Sequence, residues 1–368
     1  MIRCRAKACI RVLFSIVLFS AVLAAQTQEA VVGVNVINPY ALSASEQDAM
    51  LDAIHADGVS VIRASISLDD KGVDYAERAW KHGIRIEWLI NHFGGYDPFG
   101  KVPLSAADPN QFRATFQPIL DRLEAKGIVL SAFELGNEIN LSGTNPEFTK
   151  PVGRARQLSL ADLENDPQGQ RVAQGFRQYL IVISVLKDMR DHSKLNQQIP
   201  ITTAGLGSYD QGDGFLPSWA KGDIVGIHTT LSYMRAHGLD NLVDAYPVHI
   251  YRDTKHNSVD APALRKDCIA RFDLADCRSP GSSDGKPCWI TEWGIDNTAT
   301  SCPIDDNQRA QFVKEIRSDF QPYIHQGTVA GLLYFAWNST PGASSIMASS
   351  LWRCGALTDT GKLALSPK

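Results

Sequence analysis

From Ala30 onward, short apolar runs alternate with segments whose apolar residues recur every three or four positions. "AVVGVNV" opens the series, and "SASEQDAMLDAIHADG" follows with Ala49, Met50, Ala53 and Ile54 at helical spacing. Ser43 or Ser45 supplies a cap for that helix and Gly58 a stop. "VSVIRASIS", "DYAERAWKHG" and "IRIEWLINHF" come next. "DPNQFRATFQPILDRLEAKG" then reads as a strongly amphipathic helix that delivers the chain into "LSAFELGNEIN". A polar insertion from about Leu141 to Pro167 precedes the helix "RVAQGFRQYLIVISVLKDMR". The remaining strand-like runs are "IPITTAGLGS", "LVDAYPVHIY", "PCWITEWGID" and "VAGLLYFAWNS", with the helix "DNQRAQFVKEIRSDFQPYIHQG" between the last two.

The eight apolar runs are near-continuous rather than alternating, as expected of parallel strands covered on both faces. Strands that alternate with helices imply βαβ units, and eight of them predict a (β/α)8 barrel, one domain spanning 26–368. An open doubly wound sheet would carry a glycine-rich phosphate loop after its first strand, but "INPYALS" has no G-x-G-x-x-G. The terminal "CGALTDTGKLALSPK" is expected to close the barrel rim.

Composition agrees with this outline. The 368 residues exceed a usual single domain but suit an α/β barrel, and 44% hydrophobic with 21% charged residues is an ordinary globular mixture. Residues 1–25 form a separate regime: Arg3, Arg5, Lys7 and Arg11 lead an apolar run from Val12 to Ala25 that ends in small residues. That is the pattern of a secretory signal peptide cleaved near Ala24 or Ala25, and the run is short for a membrane span. Cys4 and Cys9 precede the run, where no lipid-attachment cysteine would stand. The mature protein is therefore expected to be secreted or periplasmic, a monomer with no membrane partner. Without those four basic residues, 32 of the 36 remain against 40 acidic ones, and the net charge moves from −4 to −8. Such a surface repels phosphate backbones and argues against nucleic acid. An oxidising compartment favours disulfides, and proximity alone pairs Cys268 with Cys277 and Cys288 with Cys302, leaving Cys354 as the odd thiol.

Catalytic groups of such a barrel project from the C-terminal ends of its strands. Those ends carry Arg63 on the second strand, Asn91 and His92 on the third, and Asn137 and Glu138 on the fourth. The sixth carries His249 and Tyr251, the seventh Glu292 and Trp293, and the eighth Trp337 and Asn338. Two carboxylates facing each other across a barrel mouth are what hydrolysis of a glycosidic bond requires: an acid to protonate the leaving oxygen and a carboxylate opposite the sugar carbon. Glu138 and Glu292 fit that pair. Arg63, Tyr251 and His249 can keep a nucleophile ionised, and the neutral amide of Asn137 can donate to a sugar hydroxyl.

Asn137-Glu138, "HIY" from His249, "TEWG" from Thr291, Trp337 and "VIR" on the second strand together resemble the clan A retaining glycoside hydrolases, which are (β/α)8 enzymes. The resemblance follows strand order over nearly the whole mature chain, and Ile139 replaces the clan's usual proline after Asn-Glu. It implies that Glu138 is the general acid/base and Glu292 the nucleophile of a glycosyl-enzyme intermediate. It implies also that Arg63 and Tyr251 hold Glu292, that His92, Asn137 and His249 contact the sugar, and that Trp337 is its stacking floor. A retaining pair stands about 5–5.5 Å apart. The substrate would be a β-linked glycan, with no cofactor.

Each residue has a structural alternative. Glu138 could be an ordinary ion-paired loop residue, Arg63 the neutraliser of a buried acid, and His249, Tyr251 and Trp337 core side chains. Trp289 and Trp293 fit either role, while Asp296 and Glu87 are assigned to structure. A non-catalytic carbohydrate-binding barrel and a transglycosylase with the same carboxylates are the rival functions. Metal chemistry lacks H-E-x-x-H or a Cys/His cluster of ligand spacing, and a serine hydrolase lacks G-x-S-x-G.

Overall fold

The structure, a computed structural model, describes residues 29–149, 155–207, 222–251, 261–299, 301–338 and 348–366. The expected signal peptide, with Cys4 and Cys9, lies outside the described residues.

Eight parallel strands form the barrel: β1 (Val31–Asn35), β2 (Val61–Ser65), β3 (Arg85–Ile90), β4 (Ala132–Leu135), β5 (Ile201–Thr202), β6 (Tyr246–Tyr251), β7 (Cys288–Gly294) and β8 (Val329–Tyr334). The ladder runs β5-β4-β3-β2-β1-β8-β7-β6. Parallel bridges Thr202↔Ala245 and Leu206↔Val248 join its two ends and close the ring. β5 is the shortest strand because its following amides are used elsewhere. Ala204 N–H donates to the Tyr179 hydroxyl and Gly205 N–H to the Glu134 carboxylate.

Helices α1 (Ala44–Ala56), α2 (Asp70–Lys81), α3 (Pro109–Ala125), α4 (Pro167–Asp191), α5 (Ile227–Ala236), α6 (Ala261–Cys268), α7 (Asn307–His325) and α8 (Asp359–Leu365) follow in chain order. Ser43, not Ser45, caps α1 through a capping box with Glu46. Asp108 caps α3, whose first residue Pro109 has no N–H to leave unsatisfied. The C-terminal α8 packs against α7 and β1. Part of the insertion after β4 forms a two-residue strand, Gln157–Leu158, paired in parallel with Ile224–Val225.

The barrel interior is layered. Val61, Ala132, Ala245, Trp289 and Leu333 fill its lower end. Trp289 lies where any side chain on residue 331 would be: a methyl group on Gly331 would approach the indole to 2.5 Å. Two residues further along β2 and β4 the same inward face turns polar with Arg63 and Glu134, as the strand period of two requires. Trp293 is core as well, 1% exposed and edge-on to Phe320 of α7.

Inward Trp289 and outward Trp293 have opposite orientations although they are four residues apart. The reason is a one-residue slip in β7. Val248 pairs Ile290 but His249 pairs Glu292, and Leu332 pairs Ile290 but Tyr334 pairs Trp293. The extra residue, a β-bulge, turns Glu292 into the barrel and Trp293 out to the helices.

The expected disulfides are corrected. Cys277 bonds Cys288, Cys302 bonds Cys354, and Cys268 is the free thiol. The backbone from 278 to 286 folds back on itself, Arg278 N–H donating to Lys286 O, which sets the Cα atoms of Cys277 and Cys288 5.3 Å apart. Cys302 and Cys354 lie 52 residues apart in sequence, but the Arg353 guanidinium donates to Asn297 O and Ala299 O and draws the two segments together.

Candidate active site

The chain leaves β4 through Gly136 at φ +86° and Asn137, reaching Glu138 at φ +48°. A left-handed glutamate costs on the order of 1 kcal/mol, and the surroundings hold it there. Glu138 N–H donates to Gly205 O at 2.7 Å, while its carbonyl accepts from Leu141 N–H and from the Thr144 hydroxyl. The Asn140 side-chain amide ties the same turn to Gly207 O and Val225 O. Glycines at the end of β5 make room for the site: a methyl group would meet His249 Nε2 at 2.2 Å from Gly205, and Glu138 Oε1 at 2.7 Å from Gly207.

Arg63 organises the opposite wall. All five guanidinium N–H groups are used. Nε and Nη2 grip the Glu134 carboxylate at 2.5 and 3.0 Å, and Nη1 donates to Glu292 Oε1 at 2.6 Å and to Asn35 Oδ1 at 2.8 Å. The second Nη2 bond goes to Asn137 Oδ1 at 2.7 Å. Its partners keep the guanidinium above its already high ordinary pKa against the opposing effect of burial. Asn35 is fixed in turn by donating to Thr291 O and Tyr334 O. Glu292 accepts a further bond from the Tyr251 hydroxyl, 2.6 Å from Oε2. Tyr251 keeps 44% of its surface exposed, but burial of the hydroxyl and the charge of Glu292 push its pKa well above the ordinary value.

His249 lies between the two carboxylates. Its Nδ1 is 3.0 Å from Glu138 Oε1 and its Nε2 3.6 Å from Glu292 Oε1, the latter longer than a hydrogen bond. Burial disfavours its cation, yet the charge of Glu292 and the bond to Glu138 outweigh this and raise its pKa. For Glu292, burial favours the neutral acid. The positive charges of His249 and Arg63, with the bonds from Tyr251 and Arg63, reverse this and hold it below the usual carboxylate range. The two shifts have opposite consequences for stability. The Glu292 contribution is full above the ordinary carboxylate pKa and is lost as pH falls through its lowered one. The His249 contribution is full below the ordinary imidazole pKa and is lost as pH rises through its raised one.

A cleft of about 830 Å³ runs from this centre over the ends of β1, β2 and β3, lined by Asn38, Ser65, Asn91, His92 and Phe99 among others. Arg63, Asn137, Glu138 and Glu292 line its inner end together with Phe335. Six of the residues expected at the site, Arg63, Asn137, Glu138, His249, Tyr251 and Glu292, thus form one connected network. His92 lies on the cleft wall, 52% exposed, with Asp97 as its polar contact at 3.3 Å.

Trp337 does not fit its expected place as a sugar floor. It is 1% exposed and stacks on Trp352 at 5.2 Å, so it presents no face to the cleft. The aromatic that β8 delivers there is Phe335, edge-on to Tyr251. Glu134 and Asn35 were not singled out from the sequence, although an acid inside the apolar run "AFEL" breaks its pattern and is such a signal. Glu87, assigned to structure, is fully buried. Burial and the neighbouring Glu134 charge push its carboxyl well above the ordinary range. Asp296 is exposed. Among the described residues no group of three or more His, Cys, Asp or Glu is placed to hold a metal ion. No described helix is long and apolar enough to cross a membrane.

The fold defines the chain as a (β/α)8 barrel, and solved structures agree. The endo-β-1,4-mannanase of Thermotoga petrophila superposes with a TM-score of 0.53 at 14% identity, over 92% of this chain and 76% of that one. A GH5_18 protein from Bifidobacterium longum subsp. infantis gives 0.54 at 12% identity, over 91% and 77%. The β-galactosidase of the psychrophilic Marinomonas ef1 gives 0.54 at 12%, over 91% of this chain but 58% of that longer one. At these identities the likeness is one of fold. No family model and no curated protein matches the sequence.

Proposed function

We propose that the protein is a secreted retaining glycoside hydrolase acting on a β-linked glycan. The observation that carries this reading is the asymmetric carboxylate pair. Glu292 on β7 is held as an anion by Arg63, Tyr251 and His249, while Glu138 from the end of β4 faces the same cleft with His249 as its side-chain partner. Glu292 is fixed as the attacking group, and Glu138 is the second carboxyl group that such hydrolysis requires.

In the first step the Glu138 carboxyl proton passes to the glycosidic oxygen as that C–O bond breaks, and a Glu292 oxygen bonds to the anomeric carbon. In the second, Glu138 takes a proton from water, the water oxygen bonds to that carbon and the bond to Glu292 breaks. Configuration is inverted twice and so retained. Asn137, oriented by Arg63, is the donor placed for a sugar hydroxyl beside the reacting carbon. The two disulfides support export to an oxidising compartment.

The test is proton NMR of the first sugar anomer released from β-linked oligosaccharides by the mature protein. The β-anomer should appear first and then mutarotate; first release of the α-anomer would sink the retaining assignment. The pH profile gives a second test. The acid limb of kcat/KM should lie below the ordinary carboxylate pKa, because Glu292 must be ionised. Tyr251→Phe removes one bond to that anion. It should move the limb upward and lower kcat/KM by about tenfold or more. A limb that stays in place would mean that another group controls it.

A further inference from the structure

Phe99 is the most exposed large apolar side chain among the described residues, at 73%. An exposed phenyl is not unusual by itself, but this one is held in place. Asp97 Oδ1 accepts from the N–H groups of Phe99 and Gly100 at 2.9 and 2.8 Å, and Asp97 and Val102 exchange both backbone bonds across the turn. The His92 ring packs against the phenyl at 5.6 Å, and its Nε2 meets Asp97 at 3.3 Å. Such a turn holds an apolar face open to solvent on a fixed base, and that face lines the cleft that contains Glu138 and Glu292.

The electrostatics of the cleft narrow what could cover the phenyl. Among its described lining residues the only Arg or Lys is Arg63, whose donors are already committed to Glu134, Glu292, Asn35 and Asn137. No Arg or Lys donor is left among these residues for a carboxylate or sulfate group. Apart from His92, which meets Asp97, and the carboxyl groups of Glu138 and Glu292, the polar lining is made of neutral amides and hydroxyls such as Asn38, Ser65 and Asn91, which suit sugar hydroxyls.

We propose that Phe99 is a stacking platform for a remote unit of a neutral β-glycan that lies in the cleft over β1–β3. The site therefore reads a chain and not a single sugar. This rests on the glycosidase reading for its kinetic arm alone. The apolar C–H face of a pyranose covers the phenyl, and hiding that much apolar surface is worth about tenfold in affinity.

The experiment uses Phe99→Ala and Phe99→Trp in the full mature chain, with neutral β-1,3- and β-1,4-linked glucan, mannan and galactan oligosaccharides of two to six units. For the longest oligosaccharide turned over, Phe99→Ala should raise KM about tenfold with a far smaller change in kcat, and the effect should shrink as the chain shortens. Phe99→Trp should restore the KM. Affinity electrophoresis in soluble β-glucan or mannan, done in the Glu292→Gln background, reads binding without turnover. Retardation there should weaken with Phe99→Ala and be smaller in gels of a carboxymethylated glucan. Equal KM changes on two-unit and six-unit substrates, or retardation unaffected by Phe99→Ala, would overturn the platform. Retardation that depends on Phe99, together with no turnover of any of these oligosaccharides by the parent protein with Glu292 intact, would overturn the glycosidase reading and leave the platform standing.

Discussion

Glu292→Gly is expected to lower kcat on any substrate the protein cleaves by about 10⁴-fold or more, the scale of losing a nucleophile that works with its partners as a unit. The space left by the carboxylate admits a small anion, and the donors that held it, Arg63 Nη1 and the Tyr251 hydroxyl, remain to bind one. Azide should therefore restore turnover of a β-aryl glycoside and give the α-glycosyl azide, because attack comes from the face Glu292 occupied. Glu138→Ala should behave differently. Substrates with poor leaving groups lose about 10²–10⁴-fold, while aryl glycosides of acidic phenols, which depart unprotonated, lose much less. Azide then attacks the glycosyl-enzyme from the opposite face and yields the β-azide. The two stereochemical outcomes separate the roles. Identical azide products, or a Glu292→Gly protein as active as the parent, would show that the carboxylates are assigned wrongly.

Arg63→Met should be the most damaging change outside the carboxylates. It leaves Glu134, fully buried, and Glu292 without their shared counter-charge, and it orphans the amide oxygens of Asn35 and Asn137. Breaking a buried ion pair from one side costs about 3–5 kcal/mol, measurable by urea unfolding. Activity should fall at the same time, since Glu292 loses a charge that holds it ionised. Arg63→Met/Glu134→Gln separates the two effects. Neutralising the stranded acid should recover much of the stability and little of the activity, because the Glu292 bond is still missing. Activity that returns along with stability would mean that Arg63 serves only the fold.

Arg63 also shows how far residue type and position carry an argument. The chain announces an arginine at the end of an apolar strand, and with it a buried acid to neutralise. Glu292 was the acid expected. The structure adds Glu134, two positions before Gly136, whose carboxylate takes two of the five donors. An acid in the middle of "AFEL" is a visible break in the pattern. What it pairs with is not visible, because its partner is 71 residues away.

The sequence by itself determined the barrel and which polar residues gather at one end of its strands. Eight apolar runs alternating with amphipathic helices allow few architectures, and strand ends are where such a barrel exposes polar groups, so Arg63, Asn137, Glu138, His249, Tyr251 and Glu292 could be collected by position alone. Apolar spacing and end position are local properties, and one sequence contains them in full. Tertiary structure alone decided the rest. The slip in β7 sends Glu292 inward and Trp293 outward, and no period-two count reveals it, because the extra residue exists only relative to β6 and β8. Position alone makes Trp337 the sugar floor, yet Trp352 covers it and Phe335 reaches the cleft instead. Cys302 found Cys354 across 52 residues and not its neighbour Cys288. Each of these depends on which segments meet when the ring closes, a matter of register and long-range packing that residue spacing along the chain does not encode.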